Sequence, residues 1–222
     1  KVKLFGNEEL DCQVIEMVRK YLPRKETYLI GDVNCGYRPK GAQKELNLIA
    51  KNMEKLYQSG LDACEDPADL EIEEWKKLQS QVHPLSLIPD YPMRPSRVAC
   101  ETIVEGMGDC YNIHPGSAAS IIDAISLAEK IKTLGADLMI GDDSLVGPGC
   151  TIWQQMAIGL SARWVEATEK EEDSVFYYKC VEQIPTDSHT NPIEFQMDCY
   201  GFGIQLDEKK LALAADRIEY IR

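Results

Sequence analysis

The sequence has no apolar run long enough to cross a bilayer, no secretory leader, no C-x-x-C pair and no low-complexity tract. Together these absences point to a cytoplasmic chain. Its eight scattered cysteines read as reduced, partly buried thiols rather than a disulfide framework. Basic residues are also scarce: 24 Lys and Arg stand against 37 Asp and Glu, a formal charge of −13. That balance argues against nucleic acid or an anionic membrane as the main partner. The first residue is Lys1, not Met, and the chain opens directly on a strand-like Lys-Val-Lys-Leu-Phe. The expectation is an incomplete chain whose N-terminal part lies outside this sequence, with a processed start as the alternative.

What is present is a regular alternation. The 222 residues, 44% hydrophobic, are enough for a large single core. Short apolar runs over about 1–5, 27–33, 61–65, 85–89, 110–114, 137–141 and 163–168 read as strands. Helical spacing predicts helices over 9–22, 41–58, 69–82, 95–107, 118–134 and 149–160. Such βα repetition implies an α/β protein with a parallel sheet, and its unbroken order favours a TIM-like barrel over an open sheet. Residues 1–169 are assigned to the barrel. Residues 170–222 are assigned to a C-terminal loop segment or small extra layer, with a closing helix at 207–220, packed on the barrel or on a missing domain.

Three acids end successive strand-like runs: Tyr-Leu-Ile-Gly-Asp32, Leu-Asp-Ala-Cys-Glu65 and Leu-Ser-Leu-Ile-Pro-Asp90. They lie 33 and 25 residues apart, about one strand–helix unit each. In a parallel barrel that spacing gathers them at the mouth where such folds place their chemistry. Three hard oxygen donors there describe a Mg2+ site. The plainer alternative is three strand-end acids capping the following helices. Lys1 and Lys3, two apart, share one strand face. Facing the barrel interior, each ammonium would lower the other's pKa and make a usable base; facing water, they are a solvated pair.

The ordered series Lys-x-Lys, Asp32-x-Asn34, Glu65-Asp66-Pro67, a strand ending in Asp90, and Tyr200-Gly-Phe-Gly resembles the enolase superfamily, in its mandelate racemase/muconate lactonizing branch. The resemblance implies a modified (β/α)7β barrel of which strands two to eight are here, and an N-terminal capping domain that is not. It implies a Mg2+-dependent enzyme that removes the α-proton of a small carboxylate through an enediolate, as a racemase, epimerase or dehydratase. Asp32, Glu65 and Asp90 would be the metal ligands, with Asn34 and Asp66 orienting them or pairing with a lysine. Lys3 would be the base, with Lys1 as its neighbour or a carboxylate contact.

The opposite-face catalyst departs from the family pattern. His114, 24 residues after Asp90, stands where the family carries lysine or aspartate. An imidazole is a competent acid or base near neutrality, and a hydrogen-bonded core histidine is the alternative. The strand-seven end reads Gly141-Asp142-Asp143 without the family's histidine, which argues against mandelate racemization. Glu166 would take the electrophilic role at strand eight, or else pair with a cation at the rim. Gly147-Pro-Gly149 is an anion cradle or plain turn punctuation. His83 and His189 receive no role. The partners expected are a small carboxylate and further copies of the chain. A binding barrel without turnover and an unrelated phosphate-binding α/β enzyme are the competing classes.

Overall fold

The computed structural model describes residues 1–142, 148–166, 180–183, 186–187, 194–195, 200–215 and 219. Asp143, Gly147, His189 and Cys199 lie outside the described residues. The chain divides into two compact units, Lys1–Leu138 and Met139–Arg222.

The first unit begins with β1 (Val2–Lys3), α1 (Glu8–Tyr21), β2 (Ile30–Asp32), α2 (Leu46–Gln58), β3 (Ala63–Glu65), α3 (Ile72–Val82) and β4 (Ser86–Ile88). It continues with α4 (Ser96–Thr102), β5 (Cys110–Ile113), α5 (Ile121–Thr133) and the start of β6 (Asp137–Ile140). β1 to β4 form one parallel sheet in sequence order. Its register sets Lys3 beside Asp32, Asp32 beside Glu65 and Glu65 beside Ile88. Adjacent residues in register share a face, so the sheet lines up a lysine and two acids at one level. Beyond β4 the backbone remains laced to β5 through Asn112 N–H on the Pro89 carbonyl at 3.0 Å.

The helices form where the apolar spacing requires. α2 buries Ile49, Met53 and Leu56, and α5 buries Ala124, Leu127, Ala128 and Ile131, all at i+3 and i+4 steps. Ser120 caps α5 by accepting from Asp123 N–H, and Glu71 with Glu74 closes a capping box on α3. The expected helix over 95–107 ends at Thr102, because Ile103 is extended and Gly106 takes a positive φ of 86°.

In the second unit β6 continues parallel to β7 (Trp164–Val165), with Met139 beside Trp164, and α6 (Pro148–Gly159) joins them. Beyond lie short antiparallel pairs: β8 (Val181–Gln183) with β11 (Gln205–Leu206), and β9 (Thr186–Asp187) with β10 (Glu194–Phe195). The closing helix α7 spans Glu208–Ala214. Among the described residues no helix is long and apolar enough to cross a membrane, and seven cysteines are free thiols.

Candidate metal and proton-transfer site

The acids cluster because each ends, or closely follows, a strand whose other side chains fill the core. Asp32 and Glu65 are the last residues of β2 and β3, and Asp90 follows β4 by two. Asp32, Glu65, Asp66 and Asp90 are all buried. Burial of so many carboxylates demands compensating cations, and the chain supplies several. Lys1 Nζ donates to Glu65 Oε2 at 2.9 Å and lies 3.5 Å from Asp32 Oδ2. Lys3 Nζ donates to that same Asp32 oxygen and to Asn34 Oδ1 at 3.1 Å. The two ammonium groups therefore meet on one carboxylate oxygen. Lys1 is mostly enclosed, whereas the Lys3 side chain is 65% exposed, on the open side of the site.

The loops after β2 and β3 hold this arrangement. Asn34 and Asp66 take left-handed φ values of 47° and 42°, a conformation Asn and Asp adopt more readily than other non-glycine residues. The turn lets Asn34 N–H return to Asp32 Oδ1 at 3.0 Å. Asp66 accepts the backbone amides of Asp90, at 3.1 Å, and Tyr91, at 3.0 Å, which fixes the turn that presents Asp90. Both thus sit against the acids they were expected to orient.

Asp90 has a different environment. Arg94, one turn on, grips both its oxygens, with Nε 3.2 Å from Oδ1. His114, just past β5, places Nε2 3.4 Å from Asp90 Oδ2. Burial raises the Asp90 pKa, opposed by His114 and Arg94. Burial likewise pushes Asp66 well up, helped by the charge of Asp90. Glu65 is pushed up to about 7, mainly by burial, with Lys1 pulling down and Asp32 adding to the rise.

A cavity of about 290 Å3 adjoins these groups, lined by Asn34, Cys35, Lys40, Asp66, Asp90 and Arg94 among others. Burial, then Asp66 and Asp69, push the Cys35 thiol up to about 12, which favours the protonated form.

One residue of the site was not singled out in the sequence. Asn112 is fully buried and donates Nδ2 to Glu65 Oε1 at 3.0 Å, while its Oδ1 has no hydrogen-bond partner among the described residues. Its signal was its place two before His114, on the same strand face. Glu166 belongs to the second unit, where its amide donates to the Ile140 carbonyl at 2.8 Å.

Glu65, Asp90 and His114 offer ligand atoms that all lie within 4.8 Å of one another. Asp32 is outside that trio, its Oδ2 engaged by both lysines. Buried oxygen and nitrogen donors beside an amide oxygen lacking a partner fit a divalent cation.

No protein-family model and no curated protein sequence matches the chain. Solved structures do. A muconate lactonizing enzyme from Klebsiella pneumoniae superposes with a TM-score of 0.72 at 17% identity, over 97% of this chain and 58% of that one. In fold, the chain matches a little over half of that enzyme. An N-succinyl Arg/Lys racemase from Bacillus cereus gives a TM-score of 0.70 at 17% identity, over 99% of this chain and 57% of that one. An L-talarate/galactarate dehydratase variant liganded with Mg and L-glucarate gives 0.65 at 15% identity, over 92% and 46%. The chain thus resembles, in fold, the mandelate racemase/muconate lactonizing branch of the enolase superfamily, and spans about half the length of these enzymes.

Proposed function

We propose that this chain is the barrel part of a divalent-cation-dependent enzyme that removes the α-proton of a small carboxylate substrate. In this reading β1 to β7 are strands two to eight of a modified barrel. The observation that carries it is the side-by-side placement of Lys3, Asp32 and Glu65 in register, with Lys1 bridging the two buried acids. It joins a base to a cation site at one end of one sheet.

The cation, held among Asp32, Glu65 and Asp90, would stabilise negative charge developing on the substrate's carboxylate oxygens. The chain's residues do the rest. Lys3, on the open side, takes the α-proton at Nζ, and Asn34 and Asp32 orient that amine. Lys1, nearly enclosed, stays on Glu65 and Asp32 and offsets their charge. Delivery of a proton to the opposite face by a second acid gives racemization or epimerization, and loss of a β-hydroxyl gives dehydration; both share the first step. Glu166 is assigned a hydrogen bond to the enediolate, and the working protein is taken to be a homo-oligomer.

The test is deuterium incorporation at the α-carbon of candidate acids in D2O. Lys3→Ala should lower cation-dependent exchange by about 10²–10⁴-fold, the usual worth of a positioned base. Undiminished exchange would remove Lys3 from the chemistry and leave a binding barrel.

A further inference from the structure

We propose that His114 is a metal ligand, which with Glu65 and Asp90 forms a mixed carboxylate–imidazole site selective for a first-row transition ion, manganese through zinc, over magnesium. The proposal rests on the reading that this end of the sheet binds a cation, and it names the ion class and a ligand.

Two separations support it. The Nε2 of His114 stands 3.4 Å from Asp90 Oδ2. That is long for a charge-assisted hydrogen bond, which closes to about 2.8 Å. It is close to the spacing of two donors sharing one ion: with bonds of about 2.1 Å, neighbouring donors lie about 3 Å apart and opposite ones about 4.2 Å. The whole trio, with its ligand atoms within 4.8 Å, closes on such an ion by small side-chain shifts.

The positions agree with the distances. The three donors come from the ends of consecutive strands, with Glu65 closing β3, Asp90 two past β4 and His114 one past β5. Asn112, two before His114, supplies a separate indication. It fixes Glu65 through Oε1 and leaves a buried Oδ1 facing no donor among the described residues, the kind of oxygen that a cation or its bound water satisfies. Imidazole then decides the ion class. A neutral ring nitrogen suits manganese through zinc, whereas magnesium prefers an all-oxygen octahedron with retained water. With its nitrogen on the metal, His114 does not transfer protons, and removal of the α-proton falls to Lys3.

The experiment uses metal-free protein. Loaded with Mn2+, it is measured by pulsed EPR for coupling to an imidazole nitrogen. Mn2+ and Mg2+ affinities are then compared by calorimetry in the unmodified chain, His114→Gln and Asp32→Asn. The expected result is nitrogen coupling that vanishes in His114→Gln, with Mn2+ binding at least about tenfold weaker and Mg2+ binding changed less than about threefold. Mn2+ bound without nitrogen coupling overturns the proposal, and needs no variant to fold. So does a His114→Gln variant that leaves the Mn2+ to Mg2+ preference unchanged. If Asp32→Asn abolishes binding of both ions while His114→Gln alters neither, the three-acid site stands and His114 is not a ligand. If the unmodified chain binds neither ion, both readings fall.

Discussion

Strand β3 has an acid near each end, and the two live in opposite circumstances. Asp62, just before the strand, accepts from Arg19, from Arg24 Nε at 2.7 Å and from Leu29 N–H at 2.8 Å. Glu65, closing the strand, is more deeply buried and accepts from Lys1 at 2.9 Å and Asn112 at 3.0 Å. Two planar guanidinium groups hold Asp62 in a closed network, the arrangement suited to permanent ion pairs. Glu65 instead has a flexible amine and an amide, and burial pushes its carboxyl up to about 7. A carboxylate kept short of charge compensation is one ready to receive a cation. In parallel α/β folds the chemistry gathers at the strands' C-terminal ends, while the opposite ends serve stability.

Isosteric neutralisation at each end should separate these roles. Glu65→Gln is expected to lower cation-dependent α-proton exchange by about 10³-fold or more, as loss of charge stabilisation in a closed site does. Its folding stability should move by less than about 1 kcal/mol, because burial already disfavours the charge that is removed. Asp62→Asn should do the reverse: exchange unchanged, and stability lower by about 3 kcal/mol for a broken, mostly buried ion pair. Denaturant melts and exchange rates on both variants check the contrast. Equal stability losses at the two ends would erase it.

Much of this contrast was legible in the chain. The seven strand-like runs and the alternating helices fell where the structure has β1 to β7 and α1 to α6, because short continuous apolar runs and i+3/i+4 patterns report directly on burial; β2 to β5 are buried at every position. Spacing alone also brought Lys3, Asp32 and Glu65 to one level, since parallel register repeats with the βα unit. Partnerships were less legible. Arg94 lies four after Asp90, yet the intervening turn Tyr91–Met93, not an α-helix, sets its reach. Asn112 looks like any strand asparagine until its partner Glu65, on β3, is known. Asp62 took no part in the sequence reading, because both its cationic partners come from the α1–β2 region, about forty residues earlier. The helix expected to reach 107 stopped at Thr102, where Thr-Ile-Val brings three β-branched residues together.

The pH dependence of stability offers a finer measure at the Glu65 end. In the metal-free protein its carboxyl is raised from 4.5 to about 7, so between those values the folded chain holds a proton that the unfolded chain has released. Stability from this group is therefore full below about 4.5 and is lost as pH rises through about 7. One such proton gives a slope of at most about 1.4 kcal/mol per pH unit. Asp66 and Asp90 are shifted in the same direction, so Glu65→Gln should flatten the fall without abolishing it. Urea melts from pH 4.5 to 7.5 test the sign. Stability that rises across this window in the metal-free protein would contradict the burial argument.

The smallest expected effect distinguishes the two guanidinium groups at the Asp62 end. Arg19 is mostly buried and also donates to the carbonyls of Gly60 at 2.8 Å, Thr27 at 2.8 Å and Leu22 at 3.1 Å. Its removal leaves several acceptors without their donor in a half-buried corner. Arg24 is 42% exposed, reaches Asp62 from the solvent side and lies 4.3 Å above the Tyr57 ring. Water can replace much of what it supplies, and a solvent-screened pair with an exposed cation–π contact contributes little. Arg24→Ala should therefore cost less than about 1 kcal/mol, and Arg19→Ala several times more. If the two cost the same, Asp62 is held by charge alone, without the hydrogen-bond geometry that sets it apart from Glu65.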